Sequence, residues 1–133
     1  MKLLLDTHIV LWFFNDDNKL SKEAFDAILA SKNEKYVSIV SAWELAIKLK
    51  LNKLSFDGGV SNFFTMLEEN GFELLPVKKD YIKNLEILPL FHRDPFDRML
   101  IASAVTEGMR LISTDVDIQQ YISEKGISDN GNE

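Results

Sequence analysis

The sequence contains no cysteine and no long apolar run. Without cysteine, the 133-residue chain can form neither a disulfide framework nor a thiolate metal site, and it cannot use a cysteine nucleophile. The first apolar run, residues 3–5, is interrupted by Asp6 and is too short for a signal-peptide core or a membrane span. These absences predict a soluble, cytoplasmic protein that does not associate with membranes. The length is that of one domain with its own core.

Basic residues are too few to balance the acids. The chain has 15 Lys and Arg against 21 Asp and Glu, which gives a formal net charge of -6 and a pI near 4.9. A nucleic-acid-binding protein usually carries a basic footprint, so this balance argues against one. The objection weakens if several acids bind divalent cations, because bound cations neutralise the acids locally.

Short apolar runs alternate with helical patterns along the chain. The sequence predicts strands at residues 2–5, 36–40, 72–75 and 110–113, and helices at 9–14, 21–31, 41–49, 63–69, 81–85, 95–107 and 116–123. Strands that alternate with helices pair in parallel through right-handed crossovers. We therefore expect a three-layer α/β/α sandwich with a mainly parallel sheet over residues 1–125, followed by a polar tail at 126–133.

Two of the predicted helix starts carry clear capping signals. Ser41 and Glu44 have the spacing of a capping box, with Ser41 as the cap. Asp94 precedes Pro95 and Asp97, a pattern in which Asp94 caps the helix and proline occupies its first position.

Four acids follow predicted strands or open predicted helices, and all can face one edge of the sheet. They are Asp6, Glu44, Asp97 and Asp115. Ligands of open α/β sheets bind outside the carboxyl ends of the strands. Clustered carboxylates are hard oxygen ligands suited to magnesium or manganese, and two such ions could clamp the attacking and leaving oxygens of a phosphodiester.

Each acid also has a purely structural explanation. A helix N-terminus stabilises negative charge without any metal, so Asp6, Asp97 and Asp115 could serve their helices alone. Glu44 could complete the Ser41 box or pair with Lys48 one turn later. Spacing by itself leaves both explanations open.

Four stretches of the chain resemble, in order and separation, the four motifs of PIN domains. They are Leu3-Leu4-Leu5-Asp6-Thr7, Val37-Ser38-Ile39-Val40-Ser41-Ala42-Trp43-Glu44-Leu45, Asp97-Arg98-Met99-Leu100-Ile101-Ala102 and Leu111-Ile112-Ser113-Thr114-Asp115. The segment from His92 to Arg98 is especially similar to one bacterial branch of the family, the VapC-like toxins. The resemblance covers roughly residues 2–121 and implies an α/β/α sandwich with four to five parallel strands. The tail at 126–133 offers no further apolar strand, although many members of the family end with one.

The resemblance implies a function and a site. It implies an endoribonuclease that binds Mg²⁺ or Mn²⁺ and hydrolyses RNA with metal-activated water, and that acts as the toxin of a toxin-antitoxin pair. The implied partners are an RNA substrate, a cognate antitoxin protein and a second copy of the chain in a homodimer. The implied metal ligands and catalytic residues are Asp6, Glu44, Asp97 and Asp115.

Further candidate site residues lie near the four matched acids. Thr7 could orient a carboxylate, hold water or contact substrate, or could simply start a helix, and Arg98 could hold a substrate phosphate or form an ordinary ion pair. Asp94 and Asp117 are auxiliary acids, and a plain helix cap explains Asp94 better. Packing or hydrogen bonding explains His8 better than a role as a base, and the same holds for His92.

Basic residues near the matched acids could line a path for RNA phosphates, although solvated helix faces explain most of the lysines equally well. They are Lys48, Lys50, Lys53, Arg93 and Arg98.

Two other functions stay open at the level of sequence. An apolar strand that ends in aspartate also opens aspartate-dependent phosphatases, but His8 stands where their second aspartate is required. The other alternative is a catalytically inactive PIN-like scaffold that binds RNA or protein, against which the intact acids of all four motifs argue.

Overall fold

The apolar runs form one parallel sheet. The computed structural model describes residues 1–90 and 94–113. Its strands are β1 (Lys2–Leu5), β2 (Glu34–Ser38), β3 (Phe72–Leu75) and β4 (Arg110–Ile112). In the described part of the chain they form a four-stranded sheet of order β3-β2-β1-β4, with all neighbours parallel. The prediction of a parallel α/β sheet is confirmed.

Six helices connect or flank these strands in the described residues. They are α1 (Thr7–Phe14), α2 (Lys22–Leu29), α3 (Ile39–Lys50), α4 (Gly59–Glu69), α5 (Lys79–Ile87) and α6 (Pro95–Glu107). Side-chain caps explain several of their starts: Ser21 accepts from the backbone of Ala24, and Asp94 accepts from the backbone of Phe96 and Asp97. The predicted Asp94 cap is confirmed.

The alternation of side chains along β1 builds a core on each face of the sheet. Leu3 and Leu5 pack with α1 to α4, whereas Leu4 packs with α5 and α6. All three leucines are fully buried. This is the arrangement expected of a strand covered by helices on both faces, and it confirms the three-layer sandwich.

The aromatic residues of α1 are partly buried and pack against the core. Phe14 packs against the rings of Phe63 and Phe72, with centroids 6.0 and 5.5 Å away. Phe63 is fully buried. Trp43 of α3, in contrast, leaves 62% of its surface exposed.

The boundary between β2 and α3 differs from the sequence prediction. The strand ends at Ser38 rather than Val40, and α3 begins at Ile39 with Ser38 as its cap. The Ser38 hydroxyl accepts from the backbone N–H of Val40 at 3.0 Å. Ser41 is therefore a buried residue inside the helix, and the predicted Ser41–Glu44 capping box is wrong.

Several predictions fall outside the described residues. These are the last helix at 116–123, the tail at 126–133, the domain boundary between them, and the residues His92, Arg93, Asp115 and Asp117. In the part of the chain that the structure describes, no helix is both long and apolar enough to cross a membrane.

Candidate metal centre

Asp6 lies at the carboxyl end of β1 and is held there by the neighbouring strand and by its own helix. Its backbone N–H donates to the Ile112 carbonyl at 3.1 Å, which continues the β1–β4 pairing. One carboxylate oxygen, Oδ1, accepts from the backbone N–H of Ile9 at 3.0 Å and so caps α1. The other, Oδ2, accepts from the Ser113 hydroxyl at 2.6 Å.

Burial makes the Asp6 charge costly. The residue is only 6% exposed, and desolvation raises the pKa of its carboxyl above the ordinary 3.8. The bonds from Ser113 and Ile9 and the nearby His8 act in the opposite direction, while the charge of Glu44 raises the pKa further. Burial dominates, so the charged form of this carboxylate is disfavoured, and a bound cation would stabilise it.

Glu44 enters the same region from α3, where it is 3% exposed. The Thr7 hydroxyl lies 2.7 Å from Glu44 Oε1 and 2.9 Å from the Ser41 hydroxyl. Because a carboxylate only accepts, Thr7 donates to Glu44 and accepts from Ser41. A buried chain of two hydroxyl groups thus fixes the Glu44 carboxylate.

Lys48 provides the counter-ion on the other side of Glu44. Its ammonium group lies 2.6 Å from Glu44 Oε2, one helical turn away, so of the two structural roles that the sequence leaves open for Glu44 the pair with Lys48 is the one present. Partial burial alone would lower the pKa of Lys48, but Glu44, Asp94 and Asp97 together outweigh it and raise the pKa. One fixed cation therefore serves acids from both α3 and α6.

The start of α6 brings Asp94 and Asp97 next to α3. Trp43 and Phe96 join the two helices, with ring centroids 5.3 Å apart and an interplanar angle of 82°. Asp97 occupies the first turn of α6 and is partly exposed. Asp97 is therefore more exposed to solvent than Asp6 and Glu44 are.

Three of the four matched acids lie in the described residues, and they share one edge of the sheet. Within residues 1–90 and 94–113, however, no three Asp, Glu or His side chains lie close enough to hold a metal ion. The fourth matched acid, Asp115, lies outside the described residues, as does Asp117. The donor set itself fits a hard divalent cation, because Asp6 and Glu44 supply buried carboxylate oxygens that keep lone pairs beyond their hydrogen bonds.

The two predicted substrate-binding residues hold the protein itself together. Arg98 donates from Nη1 to the Pro89 carbonyl at 3.1 Å and from Nη2 to the Leu85 carbonyl at 3.0 Å, which ties α6 to the end of α5. The Thr7 hydroxyl is buried against Glu44. This geometry favours the orienting role of Thr7 over a contact with substrate, and an anchoring role for Arg98.

Ser113 and Ser41 are site residues that the sequence did not reveal. Ser113 follows Ile112, which pairs with Leu5 in the parallel register, so Ser113 lies beside Asp6 at the strand ends. The register of β1 and β4 was the missing information. Ser41 was assigned to a cap, which concealed its contact with Thr7.

The fold and the site define an α/β/α protein with two buried carboxylates, Asp6 and Glu44, at the carboxyl edge of a parallel sheet. The chain belongs to the PIN-domain family, whose model matches residues 3–123.

Individual relatives support the same family. The chain is 28% identical to Ribonuclease VapC22 of Mycobacterium tuberculosis over 114 residues, which cover 85% of this chain and 86% of the relative. A solved structure of VapBC2 from Rickettsia felis, bound to a DNA fragment from its promoter, matches with a TM-score of 0.67 at 16% identity, over 91% of this chain and 93% of that one. A toxin-antitoxin complex from Klebsiella pneumoniae matches with a TM-score of 0.57 at 19% identity, over 85% and 86% of the two chains. Both solved structures share the fold of this chain.

Proposed function

We propose that this chain is a Mg²⁺- or Mn²⁺-dependent endoribonuclease and the toxin of a toxin-antitoxin pair. The observation that carries the proposal is the pair of buried carboxylates, Asp6 and Glu44, which hydroxyl groups hold at the carboxyl edge of a PIN-domain sheet. The similarity to Ribonuclease VapC22 supports RNA as the substrate. The proposed metal ligands are Asp6, Glu44, Asp97 and Asp115.

The residues of the chain prepare the site before any substrate binds. Ser113 and the backbone of Ile9 fix the Asp6 carboxylate, and Thr7 fixes that of Glu44. This preorganisation removes the reorientation that these side chains would otherwise undergo during the reaction. Divalent cations bound there would activate water and stabilise the charge that develops on the phosphate.

Cleavage of a mixed RNA pool tests the proposal. Wild type should cut RNA with Mg²⁺ or Mn²⁺, and chelator should abolish cutting. Asp6→Asn and Asp97→Asn should each lower the rate by at least about a hundredfold, as loss of a catalytic electrostatic group does. Asp80→Asn, an exposed acid in the first turn of α5, is the matched control and should cut like wild type.

The proposed partners rest on the known assemblies of similar proteins. The solved structures similar to this chain include toxin-antitoxin complexes, which supports a cognate antitoxin here. Expression of the wild-type chain in bacteria should then arrest growth, whereas Asp97→Asn should not. Growth arrest by both proteins would contradict a toxin that acts through RNA cleavage.

Self-association is the remaining part of the proposal. Trp43, Ile47 and Leu51 recur every fourth residue along α3 and its C-cap, and all three are exposed apolar side chains. Such a stripe is typical of an association surface, and we propose that the chain forms a homodimer. A strictly monomeric species in sedimentation at high concentration would contradict this.

An inactive scaffold remains the second function, and one observation favours it. All four carboxylate oxygens of Asp6 and Glu44 already accept a hydrogen bond or ion pair from the chain. If these bonds were the whole role of the acids, wild type would neither cut RNA nor gain thermal stability from Mn²⁺. Cleavage of RNA by the wild type would exclude this alternative. A gain in thermal stability with Mn²⁺ that is absent in Asp6→Asn would exclude it as well.

A further inference from the structure

A polar groove opens between α1 and the segment that follows α3. It has a volume of about 480 Å³. Its walls come from two stretches of chain: His8, Leu11, Trp12, Asn15, Asp17 and Lys19, and residues 52–55. His8 follows Asp6 and Thr7 directly and lies close enough to Asp6 to affect the pKa of its carboxyl. One wall of the groove therefore begins at His8, two positions after Asp6 at the start of α1.

Two lysines without ion-pair partners among the described residues line this groove. Lys19 and Lys53 are exposed on its two walls. Within the described part of the chain, neither ammonium group forms a hydrogen bond or an ion pair. Among the described residues that line it, the groove also holds one acid, Asp17, whose carboxylate accepts from the backbone N–H of Lys19 at 2.9 Å, so the two lysines outnumber the acids there. The groove thus carries two cations in a chain whose net charge is -6.

The other groups of the groove suit a nucleotide. Asn15 and Asn52 supply amide donors and acceptors, and the partly exposed Trp12 supplies an aromatic ring next to His8, 6.1 Å away between centroids. Proteins that bind single strands combine cations for the phosphates with aromatic rings for the bases. The polar lining fits this ligand better than it fits an apolar peptide segment.

We propose that this groove binds the single-stranded RNA next to the phosphate that is cleaved, with Lys19 and Lys53 on its phosphates. The inference rests on the proposed ribonuclease function and adds the path of the substrate. The proposed groove also explains how an acidic protein holds RNA. The acids lie at the edge of the sheet, and cations on one side of them bind the phosphates of the RNA.

The test compares two double variants that remove the same charge from different faces. Lys19→Gln with Lys53→Gln empties the groove of cations. Lys79→Gln with Lys83→Gln, both exposed on α5, is the matched control on the opposite face of the sheet. The kcat and KM of RNA cleavage are measured with Mg²⁺ over a series of salt concentrations.

The groove variant should raise KM several-fold at low salt and leave kcat unchanged. Each lost phosphate contact lowers the salt dependence of single-strand binding by about 0.7 in the slope of log affinity against log salt, so two contacts lower it by about 1.4. The control should keep the wild-type KM and slope.

Three results would overturn the proposal. The groove variant could behave like wild type, both double variants could lose affinity equally, or the groove variant could alter self-association in sedimentation while RNA cleavage is unchanged. In the last case the groove would be a protein-binding surface.

The two proposals fail separately. If wild type cleaves and the groove variant cleaves equally well at all salt concentrations, only the groove assignment fails. If wild type cleaves no RNA, the ribonuclease proposal fails, and the binding of fluorescent single-stranded RNA in chelator decides the groove by the same comparison of slopes.

Discussion

Asp6→Asn should make the metal-free protein more stable while it removes the response to metal. The amide has the shape of the carboxylate and can keep both contacts. Its oxygen can accept from the backbone N–H of Ile9, and its NH₂ group can donate to the Ser113 hydroxyl, which also accepts hydrogen bonds. The cap of α1 and the link to β4 therefore survive, and the negative charge is the main loss.

The size of the effect follows from the burial of this charge. Asp6 is 6% exposed, and a buried polar group without full compensation costs about 1–3 kcal/mol. Since two hydrogen bonds offset part of that cost, we expect a gain of about 1–2 kcal/mol, which raises the melting temperature of a domain of this size by about 4–8 °C.

The gain should depend on pH in a defined direction. Because the folded state raises the pKa of Asp6 above 3.8, the folded protein binds this proton more tightly than the unfolded chain does. The wild type therefore loses stability as pH rises from 3.8 through the raised pKa. The advantage of Asp6→Asn should be complete above that pKa, and it should disappear as pH falls toward 3.8.

Metal should reverse the order of stability. A ligand at one hundred times its Kd stabilises the folded state by about 2.7 kcal/mol. Wild type should gain this amount with Mn²⁺ and overtake Asp6→Asn, which loses one of the proposed ligands.

Thermal unfolding from pH 4 to 8 compares wild type with Asp6→Asn, first in chelator and then in Mn²⁺. Asp80→Asn is the exposed control. A variant that is less stable than wild type in chelator at neutral pH would refute the argument from burial. An equal gain from Mn²⁺ in both proteins would refute Asp6 as a ligand.

The other predictions concern the counter-ion, the second core and one helix end. Lys48→Met removes a cation that competes for Glu44 and should tighten Mn²⁺ binding on the order of tenfold; calorimetric titration that shows weaker binding would contradict this. Tyr81→Phe removes a 2.6 Å bond from the Tyr81 hydroxyl to Glu107 and should cost about 1–1.5 kcal/mol in urea unfolding. Because that bond holds the pKa of Glu107 below 4.5, the cost should be present above pH 4.5 and shrink as pH falls through the lowered pKa, and a cost independent of pH would count against it. Gly108 ends α6 at φ 67°, and a methyl group added there would meet no atom within 4 Å, so Gly108→Ala should cost about 1 kcal/mol through the backbone alone; no measurable cost would show that the helix end adjusts.

The sequence predicts the sheet well because its strands are short apolar runs that end at polar residues. It misplaces the start of α3 for a physical reason. Residues 37–41 combine β-branched side chains with two serines three positions apart, and either serine can cap a helix. The choice depends on the neighbouring strand: β3 ends at Leu75, which pairs with Ser38, so the ladder ends there and Ser38 becomes the cap.

Within the site, contacts between residues that are close in sequence can be predicted, whereas contacts between distant elements cannot. The Glu44–Lys48 pair follows from helical spacing alone. The contact of Ser113 with Asp6 spans 107 positions of the chain and requires the order and register of the strands. The exposure of Trp43 is equally hidden, because an apolar side chain on an amphipathic helix is expected in the core.

The distribution of charge explains how an acidic chain can process RNA. Repulsion of a phosphate backbone depends on the local field, not on the net charge of -6. Lys48 already reduces that field at the acids, since it interacts with Glu44, Asp94 and Asp97, and divalent ions would reduce it further. In the proposed groove, Lys19 and Lys53 would then attract the phosphates of the RNA where it leaves the site. In the proposed arrangement the acids are compensated at the point of reaction, and the cations of the groove select where RNA binds.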